Sequence, residues 1–204
     1  MEASSSPFKI ILGSSSIARR KILAEMGYEF TIMTADIDER SIRKDKPEEL
    51  VMALAEAKAN AITSKLPQIN SQEKDSEPII LIAADTVVVY GDAVREKPSS
   101  KEEAREFLKG YSDGHAATVG SVLVSNLKTG SRKGDWDRAE IFFHEIPDEI
   151  IEKMVEEGIV LNVAGGLITE HPLMLPFVKQ VVGTTDSVMG LPKALTEKLI
   201  KEVL

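Results

Sequence analysis

Ile10-Ile11-Leu12-Gly13-Ser14-Ser15-Ser16-Ile17-Ala18-Arg19-Arg20-Lys21-Ile22-Leu23 reads as a short apolar strand, a turn of small residues and the start of a helix. Ile22, Leu23 and Met26 recur at helical spacing up to Gly27, which suits a C-terminal cap, and Ser16 suits the N-cap. Arg19, Arg20 and Lys21 fall in the first turn or so, at the helix end that already carries partial positive charge. An anion in front of the helix removes that conflict. Free backbone N–H groups, the hydroxyls of Ser14 and Ser16 and the two-pronged guanidinium of Arg19 would hold a phosphate there. The alternative is a solvated cationic face beside an ordinary serine turn.

Residues 79–89 form a continuous apolar run of the kind buried on both faces of a sheet, and Asp85 breaks it. Burying an unpaired carboxylate is costly, so Asp85 is paired, metal-bound or at an open strand end. It is a candidate general base or metal ligand; a structural aspartate capping nearby backbone is the other reading. Tyr90-Gly91-Asp92-Ala93 predicts a hairpin of 87–90 with 93–96 that ends at Lys97-Pro98, which puts Lys97 one hairpin away from Asp85.

Residues 47–66 predict a helix opened by Asp45, Pro47 and Glu48. Its apolar stripe, Val51, Leu54, Ala55 and Ile62, includes Lys58. That amine either snorkels to water or aims into a cleft at an acidic substrate. After a strand at 30–33, Asp36, Asp38 and Glu39 form either a solvated loop or hard oxygen ligands for a divalent cation. Ser100-Lys101-Glu102-Glu103 is a capping box for a helix ended by Gly110. Strands follow at 118–125 and 138–146, separated by a loop at 126–134, then a helix at 147–157. Val163-Ala164-Gly165-Gly166 is small enough for backbone to approach a ligand, or is a bend in a strand. A loop at 183–190 precedes a last helix opened by Pro192. Residues 1–7 read as a flexible tail, 8–204 as a single domain, and about 67–78 as a mobile loop. The alternation predicts an α/β fold: a mixed, strongly twisted β-sheet flanked by helices, with two lobes around a central cleft.

Composition narrows the function. With no cysteine, disulfides and thiolate metal sites are excluded, which suits a cytoplasmic protein. No apolar run reaches the roughly 20 residues of a membrane span, and the first residues do not form a secretory signal. A net charge of -8 argues against binding nucleic acid backbones. No G-x-x-x-x-G-K-[ST] occurs, which removes a P-loop NTPase. His115, His144 and His171 lack ligand spacing.

Together these residues resemble the Maf family of nucleoside triphosphate pyrophosphatases, from about Lys9 to Leu204. Ser14 to Arg20 is similar to the S-x-S-P-x-R turn, and Ala55-Glu56-Ala57-Lys58-Ala59 to the helical lysine motif. Ala84-Asp85-Thr86, Lys97-Pro98, Ala164-Gly165 and Gly190-Leu191-Pro192 match further signatures in the same order. The resemblance implies a Maf/ITPase-like fold and hydrolysis of an NTP to NMP and pyrophosphate with Mg²⁺ or Mn²⁺. It implies catalytic roles for Asp85, as proton acceptor, and for Glu39, Lys58 and Lys97, with Glu39 and Asp85 on the metal. Ser14, Ser16 and Arg19 would bind substrate, in a homodimer; charge and composition argue against nucleic acid and membrane partners.

Three positions linked in the family to base choice give a mixed answer. Ala18 stands where the dTTP/UTP subgroup has arginine and the 7-methyl-GTP subgroup tryptophan, Thr86 agrees with the first, and Glu170 agrees with the second. Ile17 replaces the usual proline, Val163 stands where one subgroup has lysine, and Tyr111 to His115 matches the S-G-x-x-H segment loosely. The expectation is an enzyme that removes non-standard or surplus nucleotides, with a non-catalytic nucleotide-binding regulator as the alternative.

Overall fold

The computed structural model describes residues 7–66 and 77–204, so the tail at 1–6 and positions 67–76 of the predicted loop lie outside the described residues. In chain order the elements are β1 (Lys9–Leu12), α1 (Ile17–Glu25), β2 (Phe30–Ile32), α2 (Pro47–Lys65), β3 (Ile79–Tyr90), β4 (Ala93–Arg95), α3 (Lys101–Tyr111), β5 (His115–Asn126), β6 (Arg132–Phe143), α4 (Asp148–Glu157), β7 (Val178–Val182), α5 (Thr185–Val188) and α6 (Lys193–Val203). The strands form one mixed seven-stranded sheet in the order β2-β1-β3-β5-β6-β7, with β4 also paired to β3. β1 runs parallel to β2 and β3, so α1 and α2 lie in the crossovers that parallel neighbours require. β3 with β4 and β6 with β7 are antiparallel. The predicted mixed α/β sheet is therefore present. No described helix is long and apolar enough to cross a membrane.

Two compact units divide the chain. The first comprises Met1–Asp85, Ser121–Trp136 and Gly190–Leu204. Pro47 at the first turn and the acidic pair Glu48 and Glu49 start α2, whose small apolar face, Ala55, Ala59 and Ile62, packs on Ile11, Leu81, Ala83 and Leu123. The Ser121 hydroxyl donates to the Val51 carbonyl at 2.6 Å, and the Asn126 side-chain amide donates to the Val203 carbonyl at 2.9 Å, satisfying an otherwise orphaned group at the end of α6. Gly13 is required by closeness: its N–H donates to Ile82 O at 2.7 Å, and a Cβ there would lie 2.7 Å from Ile62 Cδ1.

The second unit comprises Thr86–Gly120 and Asp137–Met189. Its core gathers Val88, Leu108, Tyr111, Ile141, Phe143, Ile151 and Met154. The small-residue segment belongs to this packing. Gly165 sits at φ 62°, its N–H donates to Glu96 O at 2.9 Å, and its carbonyl accepts the Tyr111 hydroxyl at 2.8 Å. A Cβ on Gly165 would come within 2.6 Å of Val88 Cβ. The close approach expected of a ligand is made here by the protein itself, in a short 3-10 turn rather than a strand bend.

Several boundaries differ from the sequence expectation. α3 continues through Gly110 to the buried Tyr111. β6 starts at Arg132 because Asn126 Oδ1 accepts from the backbone of Lys128 and Thr129, folding the expected long loop into a tight turn. Within the loop read at 183–190, Thr184 caps the four-residue α5 by accepting from Ser187 N at 3.3 Å.

Candidate active site

The turn after β1 is wired together by its serines. Ser14, itself buried, accepts at Oγ from Ser16 N and from Arg19 Nη1, each at 3.2 Å. Ser16 is the N-cap of α1 and accepts from Arg19 N at 3.3 Å. Arg19 Nε donates to the carbonyl of Gly190 at 2.9 Å. The guanidinium is thus held at both sides, by the turn that precedes its helix and by a glycine 171 residues later, at φ 100°. Nothing local in the sequence signals that second anchor; only the place of Gly190 in a Gly-Leu-Pro turn marks it.

A second cluster forms between α2 and β3. Lys58 Nζ lies 2.5 Å from Asp85 Oδ1 and 3.1 Å from Glu39 Oε1. Its position inside the apolar stripe of α2 has an answer that neither sequence alternative stated, since the amine goes to two carboxylates of its own chain. Side-chain exposure is 13% for Lys58, 9% for Asp85 and 42% for Glu39, so the pair with Asp85 is well desolvated while Glu39 is open to solvent. β3 pairs with β1 through Ile79 to Ile82, and Asp85 follows three residues beyond that register. Of the acidic stretch Glu39 is the residue that meets Lys58, from the start of the 3-10 turn Glu39–Ser41, whereas Asp36 and Asp38 are exposed.

The two clusters feel one another. Burial pushes the Asp85 carboxyl above its ordinary range, the positive charges of Lys58 and Arg19 pull it back, and Glu39 raises it further. Burial pushes Arg19 down, and the negative charges of Asp85 and Glu39 oppose this. Two cations and two carboxylates therefore balance. Together with the hydroxyls of Ser14 and Ser16 they form a group able to grip an anion and to accept a proton from water at Asp85.

All of Ser14, Ser16, Arg19, Glu39, Lys58 and Asp85 belong to the first unit, as does Ala18, half-buried on α1. Lys97, exposed just after β4, Thr86, half-buried on β3, and Glu170, exposed, belong to the second. Ile17 is 82% exposed in the first turn of α1. Among the described residues no group of three or more His, Cys, Asp or Glu side chains could hold a metal ion. Two converging carboxylates nevertheless fit Mg²⁺, which is commonly held by one or two carboxylates together with substrate phosphates and water.

Residues 9–203 match the family described as Maf-like protein. The chain is 39% identical over 194 residues to a protein of Dictyostelium discoideum named 7-methyl-GTP pyrophosphatase, covering 95% of this chain and 96% of that one. It is 30% identical over 222 residues to a protein of Psychrobacter cryohalolentis named dTTP/UTP pyrophosphatase, with 95% and 96% covered. A protein of Desulforamulus reducens, also named dTTP/UTP pyrophosphatase, is 32% identical over 183 residues, with 90% of each chain covered.

Proposed function

The chain belongs to the Maf-like protein family, and on that premise we propose that it is a nucleoside triphosphate pyrophosphatase, converting an NTP and water to an NMP and pyrophosphate. The observation that carries the reading is Asp85, a buried carboxylate bonded to Lys58 and lying in the field of Arg19. Asp85 accepts a proton from the attacking water; the charges of Lys58 and Arg19 favour its carboxylate form against the burial that raises its pKa. Arg19, oriented by Ser14 and the Gly190 carbonyl, and Lys58 neutralise charge on the phosphate oxygens as the link between the α and β phosphates breaks. Lys97 adds a further phosphate-binding cation. Mg²⁺ or Mn²⁺, held by Glu39 and Asp85, supplies additional charge neutralisation when bound.

The reading extends to one Maf-like domain over 8–204 in a cytoplasmic homodimer that clears non-standard or surplus nucleotides. Lack of cysteine supports the compartment, and a net charge of -8 argues against nucleic acid as the partner. Ala18, Thr86 and Glu170 set base choice, between dTTP or UTP and 7-methyl-GTP. Pyrophosphate release from a panel of nucleotides with Mg²⁺ or Mn²⁺ tests activity and base choice together. Asp85→Asn is expected to lower turnover by about 100-fold or more, the scale of a lost general base. A variant as active as the parent contradicts the role of Asp85. The departures at Ile17, Ala18 and Val163 favour one competing reading, a regulator that binds nucleotide without turning it over, and the same panel run alongside a binding assay separates the two.

A further inference from the structure

Lys58 sits where a cation shared by Glu39 and Asp85 would sit, since its ammonium is within hydrogen-bond distance of an oxygen of each. A divalent ion bound by both carboxylates needs their oxygens within about 2.0–2.6 Å. Held against that ion, the ammonium would meet strong like-charge repulsion at near contact distance. The stem of Lys58 is not free to swing away with its helix, because α2 is fixed by the fully buried Ala55, Ala59 and Ile62. Only the amine end can move, and in leaving two carboxylates it requires new acceptors. Ser14 already accepts from Arg19 and from the Ser16 backbone. Phosphate oxygens of an incoming nucleotide meet the requirement, and a lysine ammonium, a compact point charge with three rotatable donors, can take them up without losing its charge.

We infer that Lys58 is the resident counter-ion of the Glu39 and Asp85 pair in the free protein, and that divalent metal enters only with a nucleotide whose phosphates draw the ammonium away. The inference rests on the pyrophosphatase reading and adds an order of binding to it. Lys58 thereby has two successive partners: carboxylates before substrate arrives, phosphate afterwards. The carboxylates released by this exchange are the ones offered to the metal, so metal and nucleotide bind as linked ligands.

Electron paramagnetic resonance of Mn²⁺ titrated into the full chain, without nucleotide, tests this directly. The parent protein is expected to leave Mn²⁺ free until millimolar concentrations. Lys58→Gln is expected to bind Mn²⁺ tighter by about tenfold or more, because one unit of repulsive charge has left the pair of carboxylates. Lys58→Arg, which keeps the charge, remains weak, and adding Glu39→Gln to Lys58→Gln removes the gain. Lys21→Gln makes the same charge change on the exposed face of α1 and gives no gain. The inference is overturned if the parent binds free Mn²⁺ as tightly as Lys58→Gln, or if Lys21→Gln yields the same gain. Tight binding by the parent overturns it even where Lys58→Gln fails to fold. Turnover of nucleotide by a parent that also binds free Mn²⁺ tightly removes the inference and leaves the pyrophosphatase standing, whereas absence of turnover with every nucleotide and metal removes the reading beneath it.

Discussion

Tyr28, three residues beyond the end of α1, ties that segment to α6: its hydroxyl donates to Glu197 Oε2 at 2.7 Å. Burial first, then this bond and the charge of Glu197, push the phenol from an ordinary 10.0 up to about 12. Between those values the folded chain keeps a proton that the unfolded chain releases, so unfolding is favoured progressively as pH rises. The stabilisation is whole below pH 10 and is lost toward pH 12. Tyr28→Phe should flatten this part of the curve of urea midpoint against pH relative to the parent, and an unchanged slope would contradict the assignment. Two charged members of the cluster are visible in the sequence pattern. Asp85 and Lys58 stand out because a charge inside an apolar pattern demands a partner. Their partnership with each other was not legible, since it depends on α2 and β3 packing face to face, 27 residues apart in sequence. The anchoring of Arg19 on Gly190 was hidden by a still longer separation.

The long helices are legible in their apolar stripes, and the three-residue strands β2 and β4 match the segments expected at 30–33 and 93–96, whereas β7 and α5 have no counterpart in the sequence pattern. α2 and α6 show their apolar stripes, and α4 ends at Gly158 in the left-handed conformation at φ 76°. β7 has no clean alternation, with a register shift between Phe142 and Phe143 in its pairing with β6, and α5 has only four residues. No residue of β7 is buried, so it has no apolar face to read, and α5 is a single turn. Gly165 likewise carries no local signal of its role, which comes from what α3 and β3 press against it. Gly165→Ala combines a left-handed φ with a Cβ 2.7 Å from the Tyr111 hydroxyl. The expected loss is about 2–5 kcal/mol, adding the left-handed penalty to overpacking. A chemical denaturation midpoint unchanged in this variant would show that the turn relaxes freely.

For the molecule as a whole, charge sets a problem that only the site can solve. At -8, the chain repels a nucleoside triphosphate at long range. Within the site, Arg19 and Lys58 are already balanced by Glu39 and Asp85, so the protein has little net positive charge to offer a bare triphosphate there. The substrate must therefore bring a cation with it. A non-hydrolysable triphosphate analogue is expected to bind at least about tenfold more weakly in EDTA than with Mg²⁺, a difference of about 1.4 kcal/mol. Calorimetry at one ionic strength measures it, since changing salt would screen both the long-range repulsion and the local attraction. Equal affinity with and without the metal would mean that the carboxylates are neutralised by other means, and that Lys58 is free to meet the phosphates unaided.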